Sequence, residues 1–370
     1  MIANVRNLLV EHTRYFLYLC KSINFLFLRH KKLFFTSLSA NMLLDTALKK
    51  VENLAHRTRF GRFAFAPHRY IYAQFIQQIW FPLTHRGVAA EAKTFFGTPL
   101  SMLLPSATDI YLTGGKTHDS EIRLAQFLLN TLGNTSESKT QNPKLKTQNS
   151  KPETQNFKPK TQNFIDIGAH IGYFTALAAH LIGENGKIVS VEAAEGTFQM
   201  LLKNVQNMPN VTPIHAAATA EDGQLLTFYE FPILYSEYNT MHVEQFENDR
   251  FFKKFKPKKV EVVGVTVDSL VEKYNLQNPL IKIDAEGAEA EVVAGIAQTM
   301  REQSPIIIIE YLRDRNTSHK AAFDLLTSAN FLPFSIENGG ILRGLESAAA
   351  YFERTGLDSD NFVFIKKTMY

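Results

Sequence analysis

Cysteine is nearly absent: Cys20 is the only one among 370 residues. One thiol cannot close an internal disulfide, and no Cys/His group has zinc-site spacing. Neither disulfides nor structural zinc hold this fold, and a reducing compartment suits the chain. Tryptophan is equally scarce, one residue against 29 Phe and 13 Tyr. Long apolar runs are also missing. The best, YFLYLCKSINFLFL at 15–28, is interrupted by Lys21 and Asn24 and bounded by Arg14 and Arg29-His30-Lys31-Lys32. It falls short of the roughly 20 residues a crossing helix needs, although it suits a helix lying on a membrane. Glu11 in the leading segment and the lack of a small-x-small cleavage pattern argue against a secretion signal. Met42 opens the amphipathic basic segment MLLDTALKKVENLAHRTRFGRF and offers a second start, with the first 41 residues as a dispensable extension.

What is present describes a globular protein. Hydrophobic residues make up 45% and charged residues 21%, enough to exclude a wholly disordered or collagen-like chain. The length allows one large domain or two to three small ones, at roughly 100 to 200 residues each. Formal net charge is +4, but residues 1–93 hold 14 Lys+Arg against 4 Asp+Glu and the remainder 26 against 32. The basic first quarter suits a membrane surface, a nucleic acid or an acidic partner, and a solvated helical face accounts for it equally well.

Along the chain, Thr-Gln-Asn recurs at 140, 147, 154 and 161 with a seven-residue period. A coiled coil is excluded because no two heptad positions are apolar and Pro143, Pro152 and Pro159 break helices. The composition predicts a disordered linker over 134–163. Before it, Thr94–Leu104 and Asp109–Leu112 read as a strand pair turning at Pro105-Ser106-Ala107. Glu121–Leu132 reads as a helix with Ser120 as N-cap. After it, strand-like runs at 164–167, 188–191, 212–215, 280–283 and 306–309 alternate with helical patterns at 172–181, 196–206 and 287–302. That alternation predicts an α/β fold with a mostly parallel sheet and helices on both faces. Ile306–Ile309 has the continuity of a doubly buried strand. Leu225–Tyr229 and Val260–Val267 read as further strands, 245–259 as an exposed charged insertion, and 331–336 and 361–365 as edge strands.

Three constellations carry chemistry. In FIDIGAHIGYFTALAA (164–179) a strand ends at Asp166, Gly168 and Gly172 form the turn, and a helix begins. The loop therefore lies outside a strand's carboxyl end, where open α/β sheets bind ligands. The helix N-terminus suits a carboxylate, and Asp166 suits an ammonium or hydroxyl. Glu192 ends the next strand, 26 positions later, where an acid accepts bonds from ribose hydroxyls. His170 and Tyr173 stand where the dinucleotide fingerprint needs glycines, which argues against NAD. In LIKIDAEGAEAEVVAGI (280–296), Asp284, Glu286 and Glu289 cluster at another strand end, and they also fit as helix-start acids complementing the dipole.

Together these residues resemble the FkbM-type methyltransferases over about residues 94–366, the repeat being an insertion. The D-x-G-A-x-x-G turn is matched by Asp166, Gly168, Ala169 and Gly172, with His170 inside it, and the acid of the second strand by Glu192. K-x-D-x-E-G-x-E is matched by Lys282, Asp284, Glu286, Gly287 and Glu289, and IIIIE follows, ending at Glu310. Ala193 stands where the family usually has Pro. The resemblance implies a class I methyltransferase (Rossmann-like) domain over 164–370 that uses S-adenosyl-L-methionine. Residues 1–93 would form a basic helical region with membrane-surface contact, and 94–133 a strand-pair and helix lead-in. It implies cofactor binding by Asp166, Gly168, Ala169, His170, Gly172, Glu192 and Ala193. It also implies O-methylation of a sugar, glycan or natural-product hydroxyl.

A hydroxyl is a weak nucleophile, so a base should take its proton. Asp284 and Glu286 are the first candidates, and Glu289 either orients an acceptor hydroxyl or holds the loop. His170 is expected to line the pocket, and His215 to be a core or rim histidine. A divalent ion on Asp284 and Glu286 would need a third ligand that the sequence does not single out, so no metal is assigned. Two other functions stand beside this one. An RNA-modifying methyltransferase would use Lys49, Lys50, Arg57, Arg59, Arg62 and Arg69 interleaved with Phe60, Phe63, Phe65 and Tyr70. A cofactor-binding scaffold would lack the acids that this chain retains. The same basic-aromatic pattern suits a membrane surface, the reading preferred here over nucleic acid. The expected location is the cytoplasm, with peripheral membrane contact.

Overall fold

The computed structural model describes residues 40–133, 161–313 and 318–369. The basic segment before residue 40 and most of the KTQN repeat lie outside the described residues. Ala40–Ala55 is an amphipathic helix whose Leu48, Val51 and Leu54 are buried at three-residue spacing. That face packs on the helix Asp119–Leu132, where Glu52 accepts a bond from Gln126. Helices Arg59–Phe65 and Pro67–Phe75 follow, the latter continuing through a π turn at Ile76–Trp80 into Phe81–Thr84.

The lead-in differs from the expected strand pair. Strand β1 (Val88–Lys93) pairs antiparallel with β2 (Pro99–Leu104), with the turn at 94–98, and Asp109–Leu112 belongs to the helix Thr108–Thr113. The mixed run 94–104 concealed the turn because Phe95 and Phe96 are packed; Phe96 is buried against Tyr173 and His180. The following helix begins at Asp119. Ser120 lies inside it rather than capping it, its hydroxyl bonded to His118.

The central sheet starts with β3 (Asn163–Ile167), β4 (Lys187–Glu192) and β5 (Val211–His215). A small sheet follows from β6 (Ala217–Ala218), β7 (Leu225–Glu230) and β8 (Lys258–Val265). The chain then returns with β9 (Leu280–Ile283), β10 (Ile306–Leu312), β11 (Phe331–Glu337), β12 (Ile341–Gly344) and β13 (Ser359–Lys366). The eight-stranded order is β12-β11-β13-β10-β9-β3-β4-β5. The run from β10 to β5 is parallel, and β13 runs antiparallel between β10 and β11. Strand 361–365 was expected at an edge. It is interior because Phe362, Val363, Phe364 and Ile365 are apolar toward both faces and all but inaccessible.

Alternation sorts the strands onto two cores. Phe164, Ile188, Leu280, Ile306 and Ile308 face the helices 119–132 and 173–182. Ile165, Val189, Ile281, Ile283, Ile307 and Ile309 face the other side, with Leu270, Val292, Leu326 and Phe352 from the helices 267–273, 289–294, 318–328 and 348–355. The helix expected over 287–302 is two, Glu289–Ala294 and Ala297–Glu302. It breaks at Gly295, where a Cβ would overlap the Thr219 carbonyl oxygen. The segment between β7 and β8 is not a bare charged insertion. Its short helices bury Phe246 and stack Tyr238 on Phe251 at 4.3 Å and Tyr235 on Phe255 at 4.5 Å. Among the described residues no helix is long and apolar enough to cross a membrane.

Candidate functional site

The chain runs from β3 outward through β4 to β5 and then returns to β9 on β3's other side. A crevice opens at such a switch point beyond the carboxyl ends of β3 and β9. A cavity of about 330 Å3 occupies it, within the ordinary range for small-molecule sites. Its lining includes Asp166, Gly168, Ala169, His170, Glu192 and Ala193, six of the seven expected cofactor residues, together with Asp284 and Glu286. The seventh, Gly172, caps the helix Tyr173–Ile182 in a left-handed conformation, φ +84°, with Leu201 where a Cβ would go.

The glycine loop is locked by its own backbone. The N–H groups of Gly168 and Ala169 both donate to the Val191 carbonyl at 3.0 Å, and that of Gly172 to Ala169. Gly168 has φ +71° and lies so close to the β9 loop that a Cβ would overlap the Asp284 carbonyl oxygen. His170, at φ +51°, donates its backbone N–H to Glu192 at 2.8 Å and sets its ring Nε2 2.6 Å from the Ser236 hydroxyl. Burial and the Lys116 charge lower its imidazole to about 4, so it is neutral at physiological pH.

Glu192 also accepts from the Ala194 N–H at 3.0 Å and the Thr197 hydroxyl at 2.7 Å. Burial raises its carboxyl against those bonds. Asp166 is 1% exposed. One oxygen accepts from Thr175 at 2.6 Å, while Oδ1 has no hydrogen-bond partner and stands 4.0 Å from the Lys282 ammonium. Burial raises Asp166 too, despite Lys282. An unbonded buried acceptor in a cavity rich in carboxylates is what a ligand with an ammonium and a sulfonium would satisfy, so these residues fit S-adenosylmethionine.

The acids of the β9 loop divide. Lys282 and Asp284 pair at 2.9 Å. Burial opposes ionisation of Asp284, but Lys282, a hydrogen bond from Glu310 and Lys116 outweigh it and hold the carboxyl at about 2. Glu310, at the end of β10, is pushed well above the usual range by burial and by Asp284 and Glu286, so it carries the shared proton. One oxygen from each of Asp284, Glu286 and Glu310 lies within 4.8 Å of the others, a grouping with the donor set of a cation site as well. Glu286 is held at φ +46°, its carbonyl accepting from Thr240 and Gln245 at 2.7 Å each. Glu289 takes no part in the lining. It is 1% exposed, accepts from the Ala285 and Gly287 N–H groups and lies 3.1 Å from the His319 ring. Burial raises it to about 7. His215 stacks on Phe198 at the rim of β5, outside the lining.

Several site residues went unnoticed in the sequence. Asp109, Lys116 and Glu121 enter from the lead-in and Ser236 and Glu237 from the 231–257 segment. Lys116 pairs with Glu121 at 2.9 Å and lies 5.3 Å above Phe174. Lys282 was named as part of the K-x-D-x-E-G-x-E match but given no role, although a cation within an otherwise apolar strand was a signal for one. Lys116 had none, because only the packing of the lead-in brings it there.

Residues 166–333 match the family model described as Methyltransferase FkbM domain. No curated protein matches the sequence. Among solved structures, the chain is similar to a Methyltransferase FkbM from Methylobacillus flagellatus KT, at 14% identity and a TM-score of 0.34. That likeness covers 55% of this chain and 43% of that one, so this chain spans less than half of that relative's length. An O-methyltransferase from Bacillus cereus in complex with SAH is 14% identical, with a TM-score of 0.31 over 56% of this chain and 74% of that chain. Fibrillarin from Aeropyrum pernix with bound S-adenosyl-L-methionine is 11% identical, with a TM-score of 0.29 over 55% and 65%. The family-model match over 166–333 takes in both the glycine loop and the β9 acids, the two motifs on which the resemblance to the FkbM methyltransferases rests.

Proposed function

We propose that the chain transfers a methyl group from S-adenosylmethionine to a hydroxyl oxygen of a polyhydroxylated acceptor, a sugar, glycan or natural product. The observation that carries this reading is the carboxylate cluster Asp284, Glu286 and Glu310 beside the cofactor loop. The bound cofactor would supply an electrophilic methyl on a positively charged sulfur. Asp166 would accept from its ammonium and Glu192 from its ribose, while Ala193 and His170 border the same space. Asp284 is held ionised by Lys282, and the carboxylate cluster receives the proton that the acceptor hydroxyl loses as its oxygen is methylated. Asp109, Glu121 and Glu237, which also line the cavity, offer acceptors for further hydroxyls, which supports a polyol over a flat apolar compound.

Calorimetric titration with S-adenosylhomocysteine, followed by transfer of labelled methyl to a panel of hydroxyl acceptors, tests both halves. Asp166→Ala and Glu192→Ala should weaken cofactor binding. Glu286→Gln should keep cofactor binding and lose transfer. A folded protein that fails to bind the cofactor sinks the reading, and one that binds it but methylates amines rather than hydroxyls corrects the acceptor.

A further inference from the structure

The helical arm 59–84 is apolar where a globular surface is ordinarily polar. Phe60 and Leu83 are each 78% exposed, and Phe63, Phe65, Ile71 and Ile79 are also exposed. Ile71, Ile79 and Leu83 stand at spacings of eight and four along the continuous helical stretch 67–84, so they share one stripe. Phe60, Phe63 and Tyr70 form a second contiguous patch, with centroids 6.4 Å and 5.9 Å apart. Large contiguous exposed apolar surface marks an interaction site.

Within its own stretch of chain the charge has one sign. Residues 53–90 contain five arginines, at 57, 59, 62, 69 and 86, and no Asp or Glu. The chain preceding the described residues adds apolar sequence at 15–28 flanked by Arg14, Arg29, Lys31 and Lys32. Protruding Phe, Ile and Leu among arginines, with no acid within the same stretch of chain, fit the headgroup and upper acyl region of an anionic bilayer. Nucleic acid fits less well, because aliphatic Ile71, Ile79 and Leu83 give a base nothing to stack on.

The arm also touches two segments that supply lining residues of the cavity. Arg69 donates to the Tyr111 carbonyl at 3.2 Å, next to Asp109 and Ile110 of the lining. Phe81 lies 6.4 Å from Tyr235, whose neighbours Ser236 and Glu237 line the cavity as well.

We propose that the arm 59–84 is a docking surface for an anionic lipid bilayer, seating the rim of the catalytic cavity at the membrane. This stands whether or not the acceptor is a hydroxyl.

The only tryptophan, Trp80, lies between Ile79 and Phe81 and reports on the contact directly. The full chain is mixed with phosphatidylcholine vesicles with and without phosphatidylglycerol, some carrying brominated acyl chains, and Trp80 emission is recorded. Blue-shifted emission, quenched by brominated lipid only in anionic vesicles, is expected. Phe60→Asp/Leu83→Asp should weaken vesicle binding by about tenfold or more, as should Arg57→Glu/Arg59→Glu. Both pairs are exposed, so S-adenosylhomocysteine titration should show them folded, with unchanged cofactor affinity. Absence of vesicle binding, or binding unchanged in Phe60→Asp/Leu83→Asp, overturns the proposal. Salt-dependent binding of single-stranded RNA lost in the same variants, with no vesicle binding, overturns it in favour of nucleic acid.

Discussion

Replacing Gly168 by alanine puts two separate costs on the glycine loop after β3. The first is conformational: φ is +71°, and an L-residue in that region costs about 1–2 kcal/mol. The second is steric. The new methyl would overlap the carbonyl oxygen of Asp284, whose own N–H donates to Ile167 at 3.1 Å, so the β9 loop must shift away from β3. Forcing a methyl into packed structure costs about 1–3 kcal/mol, for a total of about 2–5 kcal/mol. At roughly 2–4 °C per kcal/mol for a domain of this size, the melting temperature should fall by about 4–20 °C. Gly223 separates the two costs, because its φ is +73° while nothing lies within 4 Å of the place its Cβ would take. Gly223→Ala should therefore show the conformational cost alone, partly offset by the reduced entropy of the unfolded chain. Urea unfolding of both variants measures the difference, and S-adenosylhomocysteine titration should show weakened binding only for Gly168→Ala. Equal destabilisation of the two would refute the close approach of the β3 and β9 loops.

Glu289 provides a pH-dependent test. Burial raises its carboxyl from 4.5 to about 7, so its stabilising contribution is complete below pH 4.5 and is lost as pH rises through about 7. Glu289→Gln keeps an acceptor for the Ala285 and Gly287 N–H groups without the charge. Relative to the parent, it should gain up to about 3 kcal/mol between pH 4.5 and pH 8 in urea unfolding. Asn204 bonds the Ser101 N–H at 2.7 Å, the Ser101 carbonyl at 3.0 Å and the Ile171 carbonyl at 2.8 Å, tying the lead-in to the glycine loop. Asn204→Ala should cost about 2–4 kcal/mol by thermal unfolding, because it strands buried backbone groups. Asp284→Asn removes the ionised partner of Lys282 and should abolish methyl transfer in a labelled-methyl assay. Glu310→Gln, which retains a donor to Asp284, should keep measurable transfer, and equal loss in both would contradict the shared-proton arrangement.

The short-range patterns were legible because they report local physics. Continuous apolar runs such as Ile306–Ile309 announce strands buried on both faces. The Asp166–Gly172 turn carries its glycines where φ is positive, and the spacing from Asp166 to Glu192 spans one crossover unit. From these the sequence determined a mostly parallel α/β sheet and placed the glycine loop and the β9 acids at strand ends; the family came from the resemblance of the two motifs, not from periodicity. What it left open depends on contacts between distant segments. Strand β13 was expected at an edge because alternation says nothing of sheet order, and only pairing with β10 and β11 put it inside. The expected strand at 109–112 is a helix because apolar runs of four residues fit either period. Glu289 carried the same motif signal as Asp284, yet one faces the cavity and the other is turned inward to hold the loop, a difference of side-chain direction that spacing does not encode. Glu310 joins Asp284 only because β10 lies beside β9, and Lys116 reaches the site only because the lead-in packs over Phe174. Charge and burial at those positions are properties of the packed crevice, where low dielectric and neighbouring groups set each proton's place.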